Sequence, residues 1–239
     1  MMPASPNCET RDDLISLGQH LPRLAEALHG PDEVSIVAIG SSSTVGEGAS
    51  SKENSYPNKL AAALSARFPG PKINMHNVGV NGQEAPDEAA RFKNDVLALK
   101  PALVIWQVGT NAAWKDYFLD DVGAAILRGL DHLSCANADL VLMNLQCAPA
   151  VLDQQETPTA AAEEMLRIIG MISKEHNVAL FRRFEIMRHW HVDRGIPFDQ
   201  MISNFDGNWL HQNDWSYSCI AQALCDGLAV AVAPDQTAA

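Results

Sequence analysis

Residues 34–48 read VSIVAIGSSSTVGEG, a short apolar run followed at once by a turn of small residues. A run rich in Val and Ile predicts a β-strand, and the glycine and serines that follow predict the loop that ends it. The next helical stretch begins only near Ser55. A strand, a small-residue loop and a helix in this order predict the first unit of an α/β fold.

Comparable apolar runs recur along the chain and alternate with longer stretches of helical period. The predicted strands are Val34–Ile39, Ile73–Val78, Leu103–Val108, Leu140–Leu145 and Val178–Phe181. Parallel strands need helical crossovers, and right-handed crossovers place the helices on both faces of the sheet. The alternation therefore predicts a three-layer αβα sandwich around a five-stranded parallel sheet, of the flavodoxin-like type.

The helices are predicted from apolar period and from proline positions. They cover roughly 11–28, a segment starting near Ser55, 85–100, about 122–136, 159–176 and about 214–232, with Asp214 predicted as the N-cap of the last one. The chain has no internal repeat, low-complexity stretch or linker, so a single domain over 1–239 is expected. Loose ends are predicted at about 1–10 and 234–239.

Composition excludes several classes of protein. Hydrophobic residues make up 47% of the 239 positions and charged residues 19%, which is typical of a packed globular chain. A net charge of -12 disfavours binding to nucleic acid and to anionic lipid surfaces. No apolar run is long enough to span a bilayer and no signal segment is visible, so a cytoplasmic protein is expected, with a mature secreted chain as the alternative.

Cofactor and metal sites are not predicted. The loop after the first strand lacks both the Gly-Lys-Ser/Thr ending of a P-loop and the Gly-x-Gly-x-x-Gly pattern of a dinucleotide site. His189 and His191 form a His-x-His pair without a third ligand nearby in sequence. The five cysteines are odd in number and show no C-x-x-C spacing, so reduced and mostly buried thiols are expected.

Four loops that end at the same predicted edge of the sheet carry a Ser, a Gly, an Asn and a His. These loops contain Gly-Ser-Ser at 40–42, Asn-Val-Gly-Val-Asn-Gly at 77–82, Gly-Thr-Asn at 109–111 and Leu-His at 210–211. In this order they resemble the four sequence blocks of the SGNH, or GDSL-like, hydrolase family. The resemblance covers about 34–228, and Ser41 stands where the family usually has Asp.

The resemblance implies a serine esterase or acyl hydrolase that acts on a small-molecule ester. It implies Ser42 as nucleophile, His211 as general base, and an oxyanion hole formed by the N–H groups of Ser42 and Gly82 and the amide of Asn111. The chemistry fits, because a serine hydroxyl needs a base, imidazole titrates near neutral pH, and fixed donors stabilise the oxyanion. The acyl group is expected to be small, such as acetyl, with a carbohydrate as one possible carrier.

The acid of the triad is the point where the match departs from the family. The family has Asp three residues before its His, whereas position 208 is Asn. Asp206 stands two residues further back, as if two residues were inserted, and we favour it as the partner of His211. Asn208, or a Ser-His dyad without an acid, remains the alternative.

Two tryptophans and two further functions complete the hypotheses. Trp114 follows the Asn block and Trp209 precedes the His, so either could line an acyl or leaving-group pocket.

A catalytically silent binding protein is the first alternative function, because the Asp residues of the first and last blocks are changed. An acyltransferase with the same triad is the second. The sequence leaves the oligomeric state open.

Overall fold

The computed structural model describes residues 7–115, 117–134 and 136–233. Its five strands are β1 (Val34–Ile39), β2 (Ile73–Asn77), β3 (Leu103–Gln107), β4 (Asp139–Met143) and β5 (Ala179–Phe181). They pair in parallel in the order β2-β1-β3-β4-β5. The predicted five-stranded parallel sheet is therefore confirmed.

The strand order places a topological switch point between β1 and β3. From β1 the chain crosses to β2 on one side, then returns past β1 to β3 and continues outward through β4 and β5. Loops that leave β1 and β3 in opposite directions open a crevice at the carboxyl edge of the sheet. That crevice lies between the loops that carry Ser42 and Asn111.

Eleven α-helices are formed by the described residues. They are α1 (Asp12–Ile15), α2 (Pro22–His29), α3 (Ser42–Val45), α4 (Tyr56–Arg67), α5 (Ala85–Ala90), α6 (Thr110–Trp114), α7 (Leu119–Ser134), α8 (Ala160–Glu175), α9 (Arg183–Val192), α10 (Phe198–Met201) and α11 (Asp214–Ala231). Helix α4 packs against α11, whereas α7 packs against α5 and α8. None of the helices in the described part of the chain is long and apolar enough to cross a membrane.

Two predicted helices are interrupted. The helix expected over 11–28 is two short helices, because Gly18 adopts a left-handed φ of 75° and Pro22 starts a new helix. The helix expected over 85–100 leaves the α conformation after Ala90 and continues as a π-helical turn at Phe92–Val96 and a 3-10 turn at Leu97–Leu99. Helix α9 was not predicted, because its buried face includes Arg183 and His189, so its apolar period is weak.

The predicted N-cap of α11 is wrong by one residue. The Asn213 side chain accepts a hydrogen bond from the N–H of Ser216, so Asn213 is the cap. The Asp214 carboxylate instead accepts hydrogen bonds from the N–H and hydroxyl of Ser50 and from the amide of Asn54. Asp214 thus holds the loop that follows α3 against the start of α11.

The prediction of reduced cysteines is wrong for one pair. Cys8 and Cys219 form a disulfide, although 211 positions separate them in the sequence. Only the fold brings two such distant residues within the Cα separation that a disulfide requires. Cys147 and Cys225 are free and buried, as expected, whereas Cys135 lies outside the described residues.

The predicted loose N-terminal end is also corrected in part. Besides the Cys8 disulfide, the indole N–H of Trp190 donates to the Thr10 hydroxyl, so residues 7–10 are tied to the domain. The remaining parts of the predicted loose ends, 1–6 and 234–239, lie outside the described residues.

Candidate active site

Ser42 begins helix α3 directly after the carboxyl end of β1. The turn that precedes it is fixed to the end of β3, because the side-chain oxygen of Gln107 accepts hydrogen bonds from the Ser41 N–H at 3.2 Å and the Ser43 hydroxyl at 2.9 Å. A Cβ at Gly40 would lie 2.9 Å from the Gln107 side chain, so only glycine fits this approach. The structure thereby holds Ser42 on a rigid turn.

His211 lies opposite Ser42. Its Nε2 is 3.0 Å from the Ser42 Oγ, a hydrogen-bond distance. The segment that carries it is fastened by a hydrogen bond from the Ser203 N–H to the His211 carbonyl at 2.8 Å, and it passes close to Gly48, where a Cβ would lie 3.0 Å from that of His211. The fold therefore joins two residues that are 169 positions apart.

Asp206 lies on the other side of the His211 ring. Its Oδ2 is 3.3 Å from the His211 Nδ1, which is ion-pair distance, although the N–H direction is not aligned for a hydrogen bond. The loop between them bulges, with left-handed φ values of 74° at Gly207 and 51° at Trp209. Asn208 donates its backbone and side-chain N–H groups to the Asp206 carboxylate, each at 3.0 Å.

The pKa values suit a neutral base next to a charged acid. Burial lowers the pKa of His211 below its ordinary value, although the charges of Asp206 and Glu47 oppose this shift. Desolvation would raise the pKa of Asp206, but the two Asn208 donors and the imidazole outweigh it and lower that pKa. At neutral pH the imidazole is therefore uncharged and able to accept a proton.

Gly82 and Asn111 complete a cleft of about 260 Å³ that Ser42 and His211 also line. One amide hydrogen of Asn111 is donated to the Gln83 carbonyl at 2.8 Å, and the other has no partner among the described residues. Gly82 has a left-handed φ of 80°, with nothing within 4 Å of where a Cβ would be. The predicted Ser, Gly, Asn and His thus lie together at one cleft.

The rim of the cleft is aromatic and polar. Trp114 is among the residues that line it and Trp209 is not, although both side chains pack in part against the core. The Lys115 ammonium lies 5.4 Å from the centroid of the Trp114 ring. Phe205, a rim residue that sequence reasoning missed, is 59% exposed and its ring lies 5.6 Å from that of His211.

Glu47 is a second missed residue of the cleft. Its carboxylate accepts a hydrogen bond from the Asn81 amide at 2.6 Å, and its backbone carbonyl accepts one from the Tyr217 hydroxyl. These contacts hold Glu47 beside the catalytic candidates. The sequence shows that Glu47 follows Ser42 by five residues, but it does not show that the Glu47 side chain lines the cleft.

Arg183 is a third missed residue, and it lies beneath the cleft. Its fully buried guanidinium donates to the hydroxyls of Ser43 and Thr110 and to the carbonyl of Asn144. Burial lowers the pKa of Arg183 to about 10, so it remains charged at neutral pH. The two hydroxyl acceptors are the immediate neighbours of Ser42 and Asn111.

The His-x-His pair is occupied by other contacts. His189 Nδ1 lies 2.7 Å from the Asp193 carboxylate, and the two ring nitrogens of His191 contact the Ile196 carbonyl and the Glu156 carboxylate. Within 7–115, 117–134 and 136–233, no three His, Cys, Asp or Glu side chains are grouped to hold a metal ion.

Comparisons with known proteins point to one family. The profile of the Non-GDSL lipase-like family matches residues 7–234. An acetylxylan esterase from Geobacillus stearothermophilus is 33% identical over 153 residues, which cover 60% of this chain and 69% of the relative.

Solved structures share the fold. A variant of an acetyl-xylooligosaccharide esterase from a Geobacillus species superposes with a TM-score of 0.68 at 19% identity, over 83% of this chain and 95% of that one. A two-domain esterase active on acetylated mannans gives a TM-score of 0.71 at 18% identity, over 92% of this chain and 56% of that one. At these identities the likeness establishes the αβα architecture alone.

Proposed function

The chain belongs to the non-GDSL lipase-like family and is a carboxylic ester hydrolase, and we propose that it removes acetyl groups from carbohydrates through an acyl-enzyme on Ser42. One observation carries the assignment of the nucleophile. The Ser42 Oγ lies 3.0 Å from the Nε2 of a buried, neutral imidazole, in the same cleft as Gly82 and Asn111.

The proposed mechanism begins with proton transfer from Ser42 to His211. As the Oγ attacks the ester carbonyl carbon, the Nε2 of His211 takes its proton, and the nearby Asp206 carboxylate stabilises the resulting imidazolium. The carbonyl oxygen becomes an oxyanion that accepts hydrogen bonds from the N–H groups of Ser42 and Gly82 and from the amide of Asn111.

The second half of the cycle uses the same groups in reverse. His211 gives its proton to the departing alcohol, which leaves the acetyl group on Ser42. His211 then takes a proton from water as the water oxygen attacks the carbonyl carbon of the acyl-enzyme. It gives this proton to the Ser42 Oγ as the bond between Oγ and the acyl carbon breaks, which releases acetate and restores the free enzyme. An alcohol in place of water would make the enzyme an acyltransferase, so analysis of products formed with an added acceptor alcohol separates the two reactions.

The acetyl group is supported by the dimensions of the cleft. Its volume of about 260 Å³ lies below the usual range of drug-sized ligand pockets, which start at about 300 Å³. A cleft of this size has room for a small acyl group. The 33% identical relative carries the name acetylxylan esterase, which supports the same acyl group.

The carbohydrate is supported by the composition of the rim. Trp114 and Phe205 offer aromatic faces that can pack on the apolar face of a sugar ring. Glu47, Asn81 and Lys115 offer acceptors and donors for hydroxyl groups. This mixture fits a neutral polyhydroxylated leaving group.

The test compares wild-type protein, Ser42→Ala and the control Ser65→Ala on p-nitrophenyl acetate and on acetylated xylooligosaccharides. Ser65 is exposed on α4, and its hydroxyl only contacts the carbonyl of Ala61. We expect Ser42→Ala to lose at least about 1,000-fold in kcat, because triad members act as a unit, and Ser65→Ala to match wild type. Equal rates in wild type and Ser42→Ala would overturn the proposal, because the reaction would then not need Ser42.

The carbohydrate is tested separately with Trp114→Ala. If Trp114 contacts the sugar, this variant loses more of its kcat/KM on acetylated xylooligosaccharides than on p-nitrophenyl acetate. Equal losses on both substrates would contradict a role for Trp114 in binding the carbohydrate.

A further inference from the structure

Glu84 is a buried carboxylate that is not among the residues lining the cleft. It follows Gly82 by two positions, caps the short helix α5 and is 2% exposed. A buried carboxylate is costly unless it is well hydrogen-bonded, so its contacts indicate what it does.

The contacts of Glu84 reach from the loop of Gly82 to the loop of Asn111. Its Oε1 accepts hydrogen bonds from the N–H of Gly109 at 2.8 Å and of Ala85 at 3.0 Å. Its Oε2 accepts one from the N–H of Ala112 at 2.9 Å. Two of these three donors therefore flank Asn111, on a segment that is 25 or more residues away in the sequence.

A further hydrogen bond links the same two loops in the other direction. The side-chain amide of Asn111 donates to the carbonyl of Gln83, the residue between Gly82 and Glu84, at 2.8 Å. Two adjacent residues thus hold the loop of Asn111, Gln83 through its backbone carbonyl and Glu84 through its side chain, and both follow Gly82 directly in the chain. The two loops are fixed relative to each other by this closed set of hydrogen bonds.

We propose that Glu84 is a positioning residue for the oxyanion hole. Its hydrogen bonds fix the distance between the Gly82 N–H and the Asn111 amide. The proposal rests on the proposed function. Such donors act only when they lie about 2.7–3.1 Å from the oxyanion, and a misplacement of about 1 Å costs about 100-fold in rate.

The ionised form of Glu84 fits these contacts. Both carboxylate oxygens accept N–H groups, and an ionised carboxylate is a pure acceptor. Burial raises the pKa of Glu84, and the backbone donors of Gly109, Ala112 and Ala85 oppose that rise. The hydrogen bonds that fix the loops are thus the same ones that favour the ionised form.

Glu88 lies one turn further along α5 and offers a matched comparison. It is fully buried, and burial and the charge of Glu84 raise its pKa well above the ordinary value, so it holds its proton. Its Oε2 accepts a hydrogen bond from the indole N–H of Trp106 at 2.7 Å. Within the described residues, the side chain of Glu88 makes no hydrogen bond to either oxyanion loop.

Helix capping alone does not account for Glu84. The short side chain of Ser, Thr, Asp or Asn caps a helix well. The longer glutamate side chain is needed to reach Gly109 and Ala112 in addition to its own helix. Replacing it with serine therefore separates the two roles, because serine can keep the cap but cannot reach the second loop.

The experiment measures kcat, KM and the melting temperature for Glu84→Gln, Glu84→Ser and Glu88→Gln on p-nitrophenyl acetate. Glu84→Gln places an amide N–H against the N–H of Ala112, so we expect kcat to fall about 10- to 100-fold while KM stays within about twofold. Glu84→Ser is expected to lose at least as much. Glu88→Gln imitates the protonated acid and is expected to keep its kcat within about twofold.

Two results would overturn the positioning role. One is wild-type kcat in a folded Glu84→Gln or Glu84→Ser variant. The other is a loss in Glu88→Gln as large as that in Glu84→Gln, which would mean a general effect on packing around α5. If Ser42→Ala lacks activity while both Glu84 variants match wild type, the positioning role of Glu84 fails and the proposed function stands. If wild type and Ser42→Ala have equal rates, the proposed function fails and the positioning role fails with it.

Discussion

Replacing Asp206 with Asn removes one negative charge beside the proposed base and preserves the shape of the side chain. In the wild-type protein the carboxylate lies 3.3 Å from the His211 Nδ1. A negative charge there favours the tautomer with the proton on Nδ1, which leaves Nε2 free to accept the Ser42 proton. It also stabilises the imidazolium that forms during the attack.

The size of the effect follows from that distance. Two unit charges 3.3 Å apart attract each other by about 1.3 kcal/mol in bulk water and by about 5 kcal/mol at an effective dielectric constant of about 20. The Asp206 side chain is 23% exposed, so the attraction lies between these values. We therefore expect Asp206→Asn to lose about 100- to 1,000-fold in kcat/KM, less than the roughly 10,000-fold loss in a serine-protease triad.

The assay is hydrolysis of p-nitrophenyl acetate by wild type, Asp206→Asn and Asn208→Ala, with the melting temperature of each measured in parallel. Asn208→Ala removes the side-chain donor at 3.0 Å from the Asp206 carboxylate but leaves the ion pair in place, so a loss below about tenfold is expected. Two results would refute the reasoning: a larger loss in Asn208→Ala than in Asp206→Asn, or an Asp206→Asn rate within threefold of wild type. The second result would favour a Ser-His dyad.

Two further predictions concern pH dependence and stability. Because burial lowers the pKa of His211, the kcat/KM of the wild type should rise with pH through an apparent pKa below 6.5 and level off by neutral pH. Glu47→Gln removes a negative charge that favours the imidazolium, so in this variant kcat/KM should rise at still lower pH. A pH–rate profile with its rise at or above 6.5 in wild type would contradict this. Replacing Cys8 and Cys219 together with Ser should lower the free energy of unfolding by about 2–5 kcal/mol in urea titrations, since the bond closes a long loop in the unfolded chain. An unchanged unfolding midpoint would count against the disulfide.

The disulfide also bears on where the protein works. The sequence led us to expect a cytoplasmic protein, yet disulfides persist mainly in oxidising compartments. We propose such a compartment for this chain. Thiol titration of protein isolated without reductant tests the proposal, because reactive thiols at Cys8 and Cys219 would contradict it.

The sequence by itself determined the fold class and the order of the site loops. Each strand is predicted by a local run of Val, Ile and Leu, and parallel strands bring their following loops to one edge of the sheet, so Ser42, Gly82 and Asn111 could be placed together. The resemblance to a known family added His211, which follows two helices and no strand. The resemblance to SGNH hydrolases is confirmed by the family match. These features need only local patterns and general rules of sheet topology.

Tertiary structure alone decided which side chains meet across long separations. Asp206 lies next to His211 because left-handed turns at Gly207 and Trp209 absorb the extra residues, and no composition rule predicts that bulge. Glu84 reaches Gly109 across 25 residues, and Cys8 reaches Cys219 across 211. Such contacts depend on how whole helices and strands pack. A side chain reaches only a few ångströms, so its partners are the residues that the fold brings close in space, whatever their separation in the sequence.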